Sequence, residues 1–297
     1  MAIDPQPDLR INPLRKYVRE DRMPHFFCPG CGCGQVLSSF LRGVDALGLD
    51  IDRMTAVAGV GCTARIPVYI KMDTLHGVHG RTLAWATGIR LHSPETKVVV
   101  FAGDGDAVSI GGNHFIHAAR RNLDVLMIVV NNFNFAMTGG QVAPMTPAGS
   151  VTMTTPYGSG EPPFDLCALA VAAGATYVAR TATPHIARMD QAIKKGLEHS
   201  GFGVVEVLSQ CPTHFGRYAL GSGSPEKLLD WIDGICVPKN RADSMTPEEL
   251  EGKLVTGEFV HRSRPVFRGS TFIDESTFIN ESDVAEDNAA GKGECRS

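Results

Sequence analysis

No run of about 18 apolar residues occurs in the 297-residue chain, so nothing in it reads as a transmembrane helix. No basic stretch stands out, and with a net charge of −4 the chain does not read as a nucleic-acid binder. The first 22 residues carry charges throughout and contain no apolar core, so no secretory signal is read there and the cytoplasm is the expected compartment. No internal repeat is visible. In a reducing compartment eight cysteines are a poor disulfide framework, and metal or redox chemistry is the better expectation. What is present, 43% hydrophobic and 20% charged residues, describes an ordinary globular protein with one large domain and a tail, or two small domains.

The pattern predicts three parts. Residues 1–27 are polar and proline-spotted and read as an extended arm. Residues 28–238 alternate short apolar strands with helical periodicity, and residues 239–297 form a tail poor in apolar runs. Strands are expected at 54–60, 97–102, 124–130, 175–179 and 203–208. Helices are expected at 36–47, 82–91, 111–121, 164–173 and 184–198. Such alternation implies an α/β fold: a doubly wound, mainly parallel sheet with helices on both faces. Residues 133–163 lack apolar periodicity, and a loop of about 30 residues inside a compact domain is generally a lid or binding loop. In the tail, Thr246-Pro247-Glu248-Glu249 has the cap, proline and acidic residue of a short helix start.

Two strands carry the argument. Val98-Val99-Val100-Phe101-Ala102 stops at Gly103-Asp104-Gly105-Asp106, and Val129-Val130 stops at Asn131-Asn132-Phe133-Asn134. Open α/β sheets bind ligands at the carboxyl ends of their strands. Asp104 and Asn132 offer hard oxygens suited to Mg²⁺ shared with substrate phosphates, and the glycines let backbone approach a phosphate. A lone Gly-Asp-Gly is weak, because it also makes ordinary turns in which Asp104 would satisfy backbone donors. The second strand end raises the odds, since two buried asparagines at an apolar terminus are costly without a purpose. Cys62 and Cys211 follow strands ending at the same rim. Cys28 and Cys31, in Cys-Pro-Gly-Cys, could bind zinc, form a redox disulfide or hold an iron–sulfur cluster. Cys33 follows closely, Cys167 lies on an apolar helical face as a small buried hydrophobe, and Cys236 and Cys295 have no partner suggested by spacing.

Gly-Asp-Gly followed by Asn-Asn resembles the Mg²⁺ and thiamine diphosphate motif of thiamine-dependent enzymes. Together with Cys-Pro-Gly-Cys-Gly, Gly-Val-Gly-Cys and His-Gly-Arg, the set resembles the β subunit of the 2-oxoacid:ferredoxin oxidoreductases over residues 14–240. The stretches Leu14-Arg15-Lys16-Tyr17 and Pro24-His25-Phe26-Phe27-Cys28 look most like the 2-oxoglutarate branch. The resemblance implies that Asp104 and Asn132 coordinate Mg²⁺ by side-chain oxygens and Asn134 by its backbone carbonyl. It implies that Gly103, Gly105, Asp106 and Ala107 line the diphosphate, that Met137, Thr138 and Gly139 close over it, and that Gly61, Cys62 and His79 lie beside the cofactor. It implies one [4Fe–4S] cluster on Cys28, Cys31, Cys62 and Cys211. Arg65 stands where the family carries a basic residue facing the substrate, a role a bidentate guanidinium suits. A hydrogen-bonded structural histidine and an ordinary surface arginine are the plainer readings of His79 and Arg65.

The implied activity is oxidative decarboxylation of a 2-oxoacid, most of all 2-oxoglutarate. Coenzyme A takes the acyl group and ferredoxin takes the electrons, and the reaction is reversible in principle. Thiamine enzymes also use a glutamate carried by a second domain, and no glutamate here sits in that motif. An α-subunit partner is therefore expected, in a heterodimer or a dimer of heterodimers. No Cys-x-x-Cys-x-x-Cys run appears, so further clusters would belong to other chains. Two rival classes are a non-redox thiamine-dependent decarboxylase subunit, which needs no four thiols, and a zinc-stabilised nucleotide-binding domain without catalysis.

Overall fold

The computed structural model describes residues 12–269. In chain order its main elements are α1 (Cys33–Ala46), β1 (Met54–Ala58), β2 (Asp73–His76), α2 (Thr82–His92), β3 (Lys97–Gly103), α3 (Asp104–Val108), α4 (Gly112–Arg121) and β4 (Val125–Asn131). These are followed by α5 (Leu166–Ala173), β5 (Tyr177–Ala182), α6 (Ile186–Glu198), β6 (Phe202–Leu208), α7 (Phe215–Ala219), α8 (Pro225–Ile235), β7 (Cys236–Pro238), α9 (Lys239–Ala242) and β8 (Leu254–His261). The chain divides into Met1–Phe267 and Arg268–Ser297, the second described only at residues 268–269.

Every residue of β4 and β6 is buried. That is the signature of parallel strands covered on both faces, and it explains their unbroken apolar runs. The strand order is β2-β1-β3-β4-β6-β5-β8-β7, parallel throughout except where β8 runs antiparallel to β5. One face is covered by α1 and α6, whose Val36, Phe40, Val44, Ile193 and Leu197 pack on Val99, Phe101, Ile128 and Val205. Phe40 meets Phe101 edge-on at 5.1 Å between centroids. Burying one such ring is worth about 1.5–3 kcal/mol. The other face is covered by α2, α4 and α5, through Leu83, Phe115, Ala118, Leu166 and Ala170 on Val100, Met127 and Val204. From β1 the chain steps outward to β2, and from β3 it steps the opposite way to β4. The carboxyl ends of β1 and β3 therefore flank the switch point at which open α/β sheets take their ligands.

Three expectations need correction. The arm before Cys28 is not simply extended. Pro13–Tyr17 and Glu20–Arg22 form 3₁₀ turns, Asn12 caps the first by accepting from Leu14 N at 3.0 Å, and buried Tyr17 donates to Asp45 Oδ1 at 3.0 Å. Residues 1–11 lie outside the described residues. The break expected after Pro238 is absent, because β8 returns to the sheet and pairs with β5, so the unit runs to Phe267. Thr246 and Glu249 do exchange capping bonds, Glu249 Oε2 accepting from Thr246 N at 2.8 Å and Thr246 Oγ1 from Glu249 N at 3.3 Å. The chain nevertheless turns instead of continuing as a helix, since this stretch is exposed and has no packed face to offset nucleation. The tail beyond residue 269, Cys295 included, lies outside the described residues.

Residues 133–163 contain no long regular element, as expected. The loop is held by its own hydrogen bonds: Phe135 N to Gln141 O at 3.0 Å, Gly140 N to Phe135 O at 2.9 Å and Gly149 N to Ser159 O at 2.7 Å.

Candidate active site

A cavity of about 290 Å³ opens at the switch point. Its wall comes from four strand ends: Val60, Gly61, Cys62 and Thr63 after β1, His79 after β2, Gly103 to Asp106 after β3, and Asn132 with Asn134 after β4. Phe135, Ala136, Met137 and Thr138 of the long loop close it. A larger cavity, about 350 Å³, lies between β5, α6 and β8 and contains none of the expected site residues.

The chemistry of the first cavity lies in its unmet oxygens. Asp104 Oδ2, Asn132 Oδ1 and Asn134 Oδ1 are buried and accept no hydrogen bond. Burial pushes the Asp104 carboxyl up to about 8, although backbone N–H groups of Gly105, Asp104 and Asn132 pull the other way. Native proteins rarely leave buried polar oxygens unpaired, and a carboxylate with two amide oxygens is a donor set for a hard divalent cation. The residues present therefore fit Mg²⁺ and a diphosphate. At Asn134 it is the side-chain oxygen that stands unpartnered, where the resemblance implied the backbone carbonyl. Its Nδ2 donates to Asn132 O at 2.6 Å.

Asp106 has a different task from lining alone. Its Oδ1 accepts from Gly80 N at 2.6 Å and stands 2.7 Å from His79 Nδ1, a pair that meets on distance without hydrogen-bond alignment. Gly59 lies so close that a Cβ there would collide with the Asp106 carboxylate. Burial raises the Asp106 carboxyl above its ordinary range, and Gly80, His79 and the Val60 backbone N–H draw it down. The His79 ring packs edge-on against Phe135 at 5.8 Å.

The thiols surround Cys62. Cys28 is exposed, Cys31 and Cys62 are half-buried, and Cys211 is buried. Burial, then the neighbouring Cys31, Cys211 and Cys28, push the Cys62 thiol up to about 12. Close backbone packing brings the two cysteine segments together: Gly32 N donates to Gln210 O at 3.4 Å, and a Cβ on Gly32 would strike Ser209. Gly30, at φ +74°, abuts Pro225. The Cys211 thiol is raised by burial but drawn down by backbone N–H groups of Phe215 and His214 and by Asn134. Four thiols on facing loops fit an iron–sulfur cluster as a donor set, although among the described residues no three His, Cys, Asp or Glu side chains converge closely enough to grip one metal ion. Cys33 is wholly buried at the start of α1 and hydrogen-bonds Cys31, which holds Cys31 down to about 7. Cys236 is half-buried, and burial pushes it up to about 12.

Arg65, Ala107 and Gly139 are not on the cavity wall. Arg65 is exposed on the 3₁₀ turn Thr63–Tyr69. Ala107, within α3, is buried in the core, and Gly139 makes a turn at φ +122°. Val60, Thr63, Phe135 and Ala136 line the cavity without having been singled out from the sequence, the last two falling inside the expected binding loop. Of these Phe135 carries a legible trace, because it needs a glycine opposite: a Cβ on Gly105 would run into its ring.

Residues 57–207 match the family described as thiamine pyrophosphate enzyme, C-terminal TPP binding domain. The 2-oxoglutarate synthase subunit KorB of Methanothermobacter marburgensis is 49% identical over 258 residues, which cover 87% of this chain and 90% of that protein. Its counterpart in Methanocaldococcus jannaschii is 48% identical over 257 residues, covering 86% and 95%. A solved 2-oxoglutarate:ferredoxin oxidoreductase from Magnetococcus marinus, with 2-oxoglutarate, coenzyme A and succinyl-CoA bound, superimposes with a TM-score of 0.76 at 30% identity, over 95% of this chain and 92% of that one.

Proposed function

Because the chain belongs to the thiamine pyrophosphate enzymes and, within them, to the 2-oxoglutarate synthase β subunits, we propose that its switch-point cavity holds the diphosphate end of thiamine diphosphate through Mg²⁺. The protein is the β subunit of a 2-oxoglutarate:ferredoxin oxidoreductase, which decarboxylates 2-oxoglutarate oxidatively with coenzyme A. The observation that carries the site assignment is the trio of buried, unpartnered oxygens on Asp104, Asn132 and Asn134. When bound, thiamine diphosphate supplies the nucleophilic carbon and the electron sink, Mg²⁺ clamps its diphosphate, and a [4Fe–4S] cluster carries single electrons away.

This chain's residues would act as follows. Asp104, Asn132 and Asn134 hold the cation, Gly103 leaves room for phosphate oxygens, and Gly105 leaves room for the Phe135 ring that closes the cavity. Asp106 fixes the loops that carry Gly61 and His79, and His79 faces the cofactor. Met137 and Thr138 exclude water from above. Cys28, Cys31, Cys62 and Cys211 hold the cluster, with exposed Cys28 nearest the surface where ferredoxin would take electrons. Arg65 is exposed and off the cavity wall, so the lining lends no support to the substrate-facing role implied for it.

The cavity wall contains no glutamate, which supports an α subunit bringing that group. Val60, Val78, Met137 and Met153 stand 43–62% exposed. Val60 and Met137 both belong to the cavity wall, so apolar side chains stand open at the cavity, where a partner chain would cover them. Among the described residues no helix is long and apolar enough to cross a membrane.

The test is anaerobic co-purification with the α subunit and assay of 2-oxoglutarate- and coenzyme A-dependent viologen reduction. A brown protein bleached by both substrates, with activity lost in Asp104→Asn at unchanged iron content, is the expected result. A colourless protein with stoichiometric zinc, or an Asp104→Asn variant as active as the parent, overturns the assignment.

A further inference from the structure

β6 carries a glutamate in the middle of an otherwise apolar strand. Glu206 is completely buried, and a buried carboxylate is expensive unless paired and hydrogen-bonded. Its Oε2 accepts from Arg180 Nε at 2.8 Å and from Cys167 Sγ at 3.4 Å, and its Oε1 accepts from Asn131 Nδ2 at 2.9 Å. Arg180, only 2% exposed at its side chain, is itself anchored by Asp165 Oδ1 at 2.5 Å and Val255 O at 3.1 Å. These bonds reach from β8, next to the β7 edge of the sheet, to the last residue of β4.

What Asn131 does with its other end gives the network a purpose. Asn131 Oδ1 accepts from Phe133 N at 3.1 Å, and Phe133 sits at φ +63°, a left-handed conformation that a bulky residue avoids. Thr146 Oγ1 donates to Phe133 O at 2.6 Å and holds the same residue from the loop side, at its following peptide. The turn so fixed carries Asn132 and Asn134, whose side-chain oxygens are buried and unpartnered. A carboxylate can only accept, so it forces the Asn131 amide to present Nδ2 to Glu206 and Oδ1 to Phe133 N. With the amide reversed, two donors would face each other across the turn.

We propose that Glu206, seated by Arg180, is a positioning residue for the cation-binding turn: it sets the Asn131 amide, which locks Phe133 and presents Asn132 and Asn134 together. The inference rests on reading those oxygens as a divalent-cation site. Cys167 and Asn131, which the site itself does not use, find a place in it.

The experiment uses the complex with the α subunit, freed of divalent cation by EDTA. Mn²⁺ is titrated at saturating thiamine diphosphate, and free Mn²⁺ is read by electron paramagnetic resonance. Asn131→Leu, which keeps the Arg180–Glu206 pair, weakens Mn²⁺ binding roughly 10–100-fold, the range for residues that orient metal ligands. Glu206→Gln weakens it in the same direction, and the double variant is no worse than the weaker single one because both act through one chain of contacts. Unchanged Mn²⁺ affinity in Asn131→Leu overturns the proposal, even if the urea midpoint falls, and so do fully additive effects. Should Glu206→Gln fail to fold, Asn131→Leu alone decides. Asp104→Asn separates the two readings. If it binds Mn²⁺ like the parent, the cation site itself is wrong. If it loses Mn²⁺ while Asn131→Leu and Glu206→Gln keep it, only the positioning role falls.

Discussion

The backbone N–H of Gly80 donates to Asp106 Oδ1 at 2.6 Å and ties the loop after β2 to the helix after β3. Gly80 can make the approach because it adopts φ +71°, where a side chain would also strike Ile110. With Gly59 packed against the same carboxylate, one side chain braces three strand ends around the cavity.

Asp106→Ala removes that brace. The expected cost is about 1–3 kcal/mol of stability, from a buried donor left unpaired. Thiamine diphosphate affinity should fall at least about tenfold as the His79 loop loosens, the scale of a lost orienting contact. Urea unfolding and calorimetric titration at fixed Mg²⁺ read the two effects, and an unchanged affinity would show that the brace serves folding alone.

Gly105→Ala puts a methyl group into the Phe135 ring. Overpacking of this kind costs about 1–3 kcal/mol. The expected result is a lower melting temperature and weakened cofactor binding, with both partly restored when Phe135→Leu is added. Failure of the second substitution to restore either would place the damage in the backbone instead.

Cys211→Ser should lose iron and brown colour while still binding thiamine diphosphate, because the cation oxygens belong to other residues. Cys33→Ser should keep its iron, since Cys33 is buried in the core beside Cys31. The opposite pattern, iron retained in Cys211→Ser and lost in Cys33→Ser, would make Cys33 the fourth ligand.

His199 gives the fold an acid-sensitive point away from the cavity. Its Nε2 meets Thr176 Oγ1 at 2.7 Å, and its ring packs against Tyr177 and His261. Burial lowers its pKa below the ordinary 6.5, His261 and Lys97 lower it further, and Asp124 opposes them. The unfolded chain therefore takes up this proton at a higher pH than the folded one. The associated stability is fully present above pH 6.5 and is lost as pH falls through the depressed folded value. Urea midpoints measured from pH 7.5 down to 5 should decline less steeply in His199→Gln than in the parent. Parallel profiles would rule His199 out as a source of acid sensitivity.

The fold was legible where burial is two-sided. β3 and β4 are continuous apolar runs because helices cover both their faces, and the oxygens that interrupt them mark the site for the same reason. β2 was invisible: Asp73–His76 is an exposed edge strand with no apolar run to betray it. β8 was missed on similar grounds, being half-exposed and interrupted by Gly257. Asp104 and Asn132 could be read from their contrast with what precedes them. Phe135 left only the small residue opposite it, Gly105, as a trace, because its place depends on hydrogen bonds to Gln141 and Gly140 within a loop that has no period. The expectation for Arg65 came from resemblance alone, and the fold leaves that side chain exposed and off the cavity wall.

The return of β8 to the sheet has a consequence for anyone who trims this protein. A chain cut after Pro238 would retain every residue proposed to touch cofactor or cluster. It would also strip β5 of its antiparallel neighbour, deprive Arg180 of Val255 O, and lay a row of free backbone donors and acceptors open to other copies. Such a fragment is expected to aggregate rather than merely lose activity. The last strand thus acts as a seal against self-association, and shortened versions should end no earlier than Phe267.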